Sequence, residues 1–536
     1  MSGGTGRTVL SASTATLISR IVGFLRNISL AAALGTGLVS DSYNLANQIP
    51  NQIFLLLGGG TIAAVFLPQL ARLSVRSRDD ADRYGTVLLL GSIVFGAALS
   101  AVAVVAAPPI VGALGGAAWG ASQRDLTIAL FIWCAPQIAA YSVFAVASQL
   151  MNSRGKFTLV SWLPALSSLS VIAGSLIVIV NGVVSGDDPS SVSPTMVIAL
   201  GATTLGGTIL QTTVLLVLLV RVGFRPRLRG GIRGLGLRAA AKTGGLTVAS
   251  AMCFQATNLI TAAWTAQAGT AASESGADGF GYSAFFFAMA LMSVVQGVAV
   301  ASLASILLQR MSKHFAEGRD VEAFGELDDT IVRLSSFMIP VSAVFVSCGP
   351  AISEVLFARG QTSPEAARII GIVLAGLAMG LLPFAMHSLL IRPFYAKHDA
   401  LRPLLSSFSI NAIWAAGAAL AFFLLPPTLV VFGMAVTFAL SYWADLPVKL
   451  MWLRRRLGFR IASAAWRDIV VAQLIAVALT VLIGAPGWYA LFVFDLPTWA
   501  ALIVAAVQAT LLIAVYTLAV RRSLVSPIAL LRWLRK

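Results

Sequence analysis

Arg20 and Arg26 stand inside an apolar run near the start of the chain, ATLISRIVGFLRNISLAAALG. An arginine at mid-bilayer costs about 2.5–3.5 kcal/mol on insertion scales, so each guanidinium is expected to face a wet cavity or a partner rather than lipid. Six residues apart on a helix, the two lie about 9 Å apart along the axis and about 120° apart around it. They cannot form one tight clamp, but they could line a cavity at two depths, and a guanidinium fork matches a phosphate or pyrophosphate. Snorkelling to the interface, or a structural interhelical hydrogen bond, is the alternative use of each.

The rest of the chain says what must position them. Of 536 residues, 58% are hydrophobic and only 11% charged, and the mean hydropathy is +0.88. That is too little polar surface to wrap a water-soluble core, and it predicts an all-α polytopic membrane protein. The 37 Lys and Arg against 21 Asp and Glu give a net charge of +16. In a membrane chain this points to cytoplasmic loops and anionic headgroups, not to nucleic acid. No P-loop surrounds Gly155-Lys156, HExxH and GxSxG are missing, and the histidines are His314, His387 and His398. Cys134, Cys253 and Cys348 lie far apart without CxxC spacing, so neither a disulfide framework nor a zinc site is expected. With spans nearly empty of acids and bases, a transporter is expected, not an enzyme. The short polar start, Met1 to Gly6, runs into the first span without a cleavage site, so no removable signal peptide is expected.

Apolar runs of spanning length predict about fourteen transmembrane helices, half between residues 8 and 267 and half between 282 and 520. With both termini cytoplasmic, Lys and Arg gather in alternate loops, which is the positive-inside asymmetry. The predicted organisation is an N-lobe at 1–222 (six spans), a basic cytoplasmic linker at 223–243, a C-lobe at 244–455 (six spans) and a C-terminal helix pair at 456–536. The linker reads either as a solvated, topology-fixing segment or as an interfacial helix that attracts anionic lipid. Asp445 and Lys449 are read as a local i,i+4 ion pair, and Glu354 and His387 as structural. Pro50, Pro136, Pro340, Pro350 and Pro383 are expected to interrupt helices, and Gly58-Gly59-Gly60 to permit bending. Gly376 and Gly380 form a GxxxG packing motif.

Three segments carry a family resemblance: SRIVGFLRN at Ser19 to Asn27, LGTGLVSDSYNLANQIPNQIF at Leu34 to Phe54, and GGGTIAAVFLPQLARL at Gly58 to Leu73. The paired arginines, the G-x-G-x-x-x-D turn ending at Asp41, the I-P-N at Ile49 to Asn51 and the F-x-P at Phe66 to Pro68 resemble the opening of the MurJ (MviN) family. MNSRGKF at Met151 to Phe157 and LLQRMSKHF at Leu307 to Phe315 are weaker echoes. These are bacterial lipid II flippases of the multidrug/oligosaccharidyl-lipid/polysaccharide exporter superfamily. The resemblance implies a multi-pass plasma-membrane protein with two six-helix lobes and a C-terminal pair. It would flip polyprenyl-pyrophosphate-linked lipid II from the inner to the outer leaflet by alternating access.

By the same resemblance, Arg20 and Arg26 would bind the substrate pyrophosphate and Asp41 would act in the transport cycle. Family members commonly carry further arginines in the second and eighth helices, where Phe54 and Ala290 stand here, and an acid where Asn27 stands. The alternatives are an exporter of another lipid-linked glycan and a transport-inactive scaffold for cell-wall synthesis. Expected partners are the polyprenyl-linked glycolipid, bilayer lipids and cell-wall synthesis proteins. No cofactor is expected. Span seven offers Gln255 and Asn258 but no carboxylate for the sodium site of some members, which leaves coupling to the membrane potential or to a monovalent cation.

Overall fold

A computed structural model describes residues 3–59, 78–181, 186–227, 237–397, 399, 401–494 and 496–529, and all regular structure in them is helical. A backbone surrounded by hydrocarbon must satisfy its polar groups within its own segment, and the helix does so. The helices are α1 (Gly3–Leu34), α2 (Leu38–Phe54, running on into a π-helical turn at Leu55–Gly59), α3 (Arg78–Val105), α4 (Ala107–Gly115), α5 (Ala121–Cys134), α6 (Gln137–Ser153), α7 (Phe157–Trp162), α8 (Pro164–Asn181), α9 (Pro194–Arg221) and α10 (Leu237–Glu274). They continue with α11 (Tyr282–Ala316), α12 (Asp320–Phe357), α13 (Pro364–Ala378), α14 (Leu381–Leu390), α15 (Arg392–Ala396), α16 (Leu401–Leu424), α17 (Pro427–Leu457), α18 (Ser463–Leu479), α19 (Ala485–Val493) and α20 (Thr498–Ala519).

Local chemistry sets the ends. Ser193 and Ser363 cap α9 and α13 by accepting from the N–H groups of Met196 and Ala366, each ahead of a first-turn proline. Gly458 closes α17 in the left-handed region, at φ 71°, after three arginines that complement the negative end of the helix dipole.

Ten helical segments are long and apolar enough to cross a membrane, and α13 with α14, bent by 44° across Met379–Gly380, brings the number to 11. The chain is an all-α polytopic membrane protein. Three of the predicted runs fall outside that set. The run near 48–70 extends beyond the described residues, as does the F-x-P motif. The run near 244–267 lies in α10, and α11 is strongly apolar only over Tyr282–Gly297. Helix α2 begins at Leu38, well before the predicted start of that span. Its opening, LVSDSYNLANQ, is too polar to read as lipid-facing, yet Val39 through Ala46 are all buried against protein. Pro340 and Pro350 were expected to interrupt a span but are accommodated within the continuous α12, whereas Pro383 lies just past the bend.

The chain divides into two compact units, Met1–Thr270 and Ala271–Lys536. In the first, α3 packs on α6, α8 on α9, α1 on α7 and α8, and α2 on α5 and α6. At one end of it Tyr84, Val146, Leu150, Leu215, Leu219 and Phe224 form a buried cluster. In the second, the long α12 packs against α13 and α20, and α17 against α13, α14 and α16. The GxxxG prediction holds as packing: a Cβ on Gly380 would stand 2.6 Å from the Ala439 Cα, so α17 can approach only because that side chain is missing.

The first residues of the basic stretch after α9 are pinned to the base of α3. Asp82 accepts from the Arg225 N–H at 3.1 Å and pairs with Arg154, whose guanidinium lies 5.2 Å over the Phe224 ring, while Arg227 pairs with Asp79 at 2.7 Å. Residues 228–236 of that stretch lie outside the described residues. A corresponding clasp occurs in the second unit. Lys397, just after α15, pairs at 2.7 Å with Asp320 at the base of α12 and lies 4.5 Å over the Phe315 ring.

Candidate functional site

Helix α1 presents Leu17, Ile21 and Leu25 as an exposed apolar stripe. Arg26 follows Ile21 by five residues, which places it about 140° around the helix from the centre of that stripe. It shares its side with Ala15, Ser19, Leu30 and Ala33, all buried. Arg20, adjacent to Ile21, lies about 100° from the stripe centre, on the flank. Both arginines are half-buried, so the structure places neither on the exposed apolar stripe, and it places them on different faces of one helix. Arg20 is engaged by its surroundings.

The Arg26 guanidinium donates through Nε and Nη2 to the Asn27 side-chain oxygen, at 3.3 and 3.2 Å. Among the described residues this is its hydrogen-bond acceptor. A carboxamide fixes the orientation of the fork and leaves its charge in place, which a carboxylate would not.

The phenols of Tyr43 on α2 and Tyr141 on α6 lie within electrostatic range of that charge. Both tyrosines belong to a neutral polar wall inside the first unit. Tyr43 shares a 2.7 Å hydrogen bond with Thr204 of α9. Gln137, at the start of α6, accepts from Tyr141 and from Thr208, both at 2.9 Å, and donates to Asn47 of α2 at 3.3 Å. Gln52 and Gln211 each keep a buried side-chain oxygen without a hydrogen-bond partner, acceptors that suit water or a hydroxyl. Phe54, near the position where the family resemblance leads one to expect another arginine, is buried with its ring 6.2 Å from that of Tyr141. Ala290 is half-buried on α11 in the second unit. The sequence reading singled out none of Tyr43, Asn47, Gln137, Tyr141, Thr204 or Thr208. Their signal was available as hydrogen-bonding side chains recurring within apolar runs.

Asp41 lies in the first turn of α2, fully buried and engaged. Its N–H closes on the Gly37 carbonyl at 3.0 Å, and a carboxylate in a first turn is favoured by the helix dipole. The turn before it depends on glycine twice. Gly35 has φ 72°, and a Cβ on Gly37 would meet the Asp187 carboxylate at 1.7 Å, where the chain between α8 and α9 crosses. Val39 donates to the Gly186 carbonyl at 3.0 Å and fixes that crossing. The structure therefore sets Asp41 against a loop, and Arg26 within electrostatic range of the polar wall.

The second unit pairs its buried charges. Glu354 and Arg368, 0% and 3% exposed at their side chains, are bonded at 2.7 Å, and Arg368 also donates to the Leu496 carbonyl at 3.0 Å. The ion pair predicted for Asp445 and Lys449 is present and larger than predicted. Ser406 and Ser409 donate to the carboxylate at 3.0 and 3.3 Å, and Lys449 also contacts His387 Nδ1.

The chain matches the family model described as "Lipid II flippase MurJ" over residues 30–510. It is 28% identical over 500 residues to the probable lipid II flippase MurJ of Rhizobium meliloti (strain 1021), covering 89% of this chain and 86% of that one. To the lipid II flippase MurJ of Burkholderia cenocepacia it is 25% identical over 496 residues, covering 90% of each. Among solved structures, "Lipid II flippase MurJ, inward closed conformation" superposes with a TM-score of 0.71 at 16% identity, over 95% of this chain and 99% of that one. An inward-facing multidrug resistance MATE family transporter of the MOP superfamily gives 0.66 at 12% identity, over 82% and 98%. A family match across most of the chain, on a membrane fold of that superfamily, identifies the chain as a transporter belonging to the MurJ lipid II flippase family.

Proposed function

We propose that the protein moves lipid II, a polyprenyl-pyrophosphate-linked peptidoglycan precursor, from the inner to the outer leaflet of the bacterial plasma membrane by alternating access. The observation that carries this reading is the Arg26 guanidinium, turned from the exposed stripe of α1, oriented by a neutral carboxamide and within electrostatic range of two phenols that belong to a wall of uncharged amides and hydroxyls. The cation suits the pyrophosphate, and the wall suits the sugar and peptide, whose transfer without such partners would carry a large desolvation cost. The inside-negative potential favours outward movement of the anion by about 2.3 kcal/mol per charge per 100 mV. Arg20 would meet the headgroup at a second depth. Asp41, buried where α2 starts against the Gly186 crossing, would hold that end of the unit through the transport cycle. Fourteen spans, two six-helix lobes, a C-terminal pair and cytoplasmic termini belong to the same proposal.

The test is inner-leaflet accumulation of lipid II in cells that depend on the chain. Arg26→Ala at normal membrane abundance should cause that accumulation, and unchanged flux would overturn the assignment. Phe54, packed on Tyr141 and uncharged, favours one second reading, an exporter of a lipid-linked glycan with fewer phosphates. Accumulation of a different glycolipid on depletion would support it.

A further inference from the structure

The end of the first unit where α4 meets α5 holds a second set of unused donors, none belonging to the Arg26 wall. Trp119 and Gln123 are each 3% exposed, and the indole Nε1 and carboxamide Nε2 are buried without a hydrogen-bond partner. The Arg124 Nε is in the same state, and among the described residues no carboxylate pairs with that guanidinium, although the exposed Asp125 follows it. These groups gather round one turn. A Cβ on Gly115 would stand 2.4 Å from the Trp119 ring, and Arg124 donates through Nη2 to the Gly116 carbonyl. From α10, Gln267 lies against Gly116 and donates to the Leu114 carbonyl at 2.7 Å, while Thr270 donates to the Gln123 side-chain oxygen at 3.0 Å. Helix α5, 14 residues long, starts there after Gly120 with no side-chain cap, so the positive end of its dipole adds to the donors. The unmatched buried groups of Trp119, Gln123 and Arg124 are all donors, as an anion site requires.

Gln267 also lines an apolar groove of 570 Å³, walled by Ile53, Leu99, Val102, Ile110, Ile260 and Trp264. Val102 and Ile260 are exposed along it, at 62% and 38%. A methylene fills close to the volume of a water molecule, about 30 Å³, so the groove has the volume of one phospholipid acyl chain. We infer that the first unit binds a phospholipid, its phosphate on Trp119, Gln123, Arg124 and the α5 N-terminus, and one acyl chain in the groove that Gln267 lines. The lipid joins α10 to α3 and α4 and is not the transported substrate.

Native mass spectrometry of the full-length protein in detergent, titrated with phosphatidylglycerol, tests this. Wild type should retain one phosphatidylglycerol. Ile260→Trp, which fills the groove, and the double variant Gln123→Leu/Arg124→Gln should each bind at least tenfold more weakly. Val102→Trp, on another wall, gives a second steric block should Ile260→Trp fail to fold, and cooperative melting without added lipid checks each variant. Equal retention by wild type and variants overturns the inference. So does equally tight binding of a single-chain amphiphile lacking phosphate, or displacement of phosphatidylglycerol by a polyprenyl pyrophosphate lipid. Because binding is read without flipping, failure here leaves the role of Arg26 standing, and unchanged flux in Arg26→Ala leaves this site standing.

Discussion

The deep ion pairs of the second unit and the Arg26 site of the first hold their charges in opposite ways, although the first unit also pairs Asp82 with Arg154 at the base of α3. In the second, Glu354 is matched by Arg368, and Asp445 by Lys449 with two serine hydroxyls. At its site in the first unit, Arg26 is oriented by the Asn27 carboxamide and lies within electrostatic range of the Tyr43 and Tyr141 phenols. A paired buried charge holds helices together and is costly to break, whereas a charge held by a neutral partner keeps its field for a ligand. Stability is therefore expected to answer to the second unit's ion pairs and flux to the first unit's arginine.

The largest effect should come from stranding a charge. Arg368→Ala leaves the Glu354 carboxylate buried and unmatched and should cost about 3–5 kcal/mol, read as loss of folded protein or a lowered melting midpoint. The double variant Glu354→Leu/Arg368→Met should recover most of it, and the same pattern should hold for Lys449→Met against Asp445→Asn/Lys449→Met. If the single and double variants melt alike, these pairs are not what holds the second unit.

Arg26→Ala should do the reverse. Losing charge-assisted bonds worth about 1.5–3 kcal/mol to the substrate should lower flux about ten- to a hundredfold, with little change in melting. A variant that melts early and flips normally would put Arg26 among the structural charges. Asn27→Asp places beside Arg26 the acid that the family resemblance leads one to expect. With Phe54 and Ala290 where further arginines are expected, the carboxylate in this chain would offset positive charge that is not made up at those positions. Flux should fall by about tenfold, one charge-assisted bond's worth, while melting holds or rises slightly.

The smallest effect is expected in water. The Ser190 hydroxyl and N–H, at 2.6 and 2.9 Å, hold the exposed Asp188 carboxyl below its ordinary range. A depressed value contributes stability that is present above the unfolded value and lost as pH falls through the folded one. Ser190→Ala should move that titration back toward the ordinary carboxylate range, visible by NMR, with no measurable change in melting.

Arg20 and Arg26 were legible as candidates because a guanidinium in an apolar run is expensive wherever it points. Their separation onto different faces also followed from helical periodicity. The polar wall was not legible as a wall, because Tyr43, Gln137 and Thr208 come from three helices whose packing no local pattern specifies. The early start of α2 was missed for a related reason: hydropathy measures suitability for lipid, and LVSDSYNLANQ is solvated by protein instead. Glu354 was read only as structural, without its partner Arg368, and the turn between α12 and α13 brings the two together.

By itself the sequence determined that the chain is helical and membrane-embedded, because too few polar residues exist for any other solvent. It also determined which charges are costly enough to need a purpose. Only the tertiary structure decided which were matched and which kept for a ligand. Pairing depends on where side chains from separate helices meet, and a buried cation can equally well hold helices together or wait for an anion until that meeting is fixed.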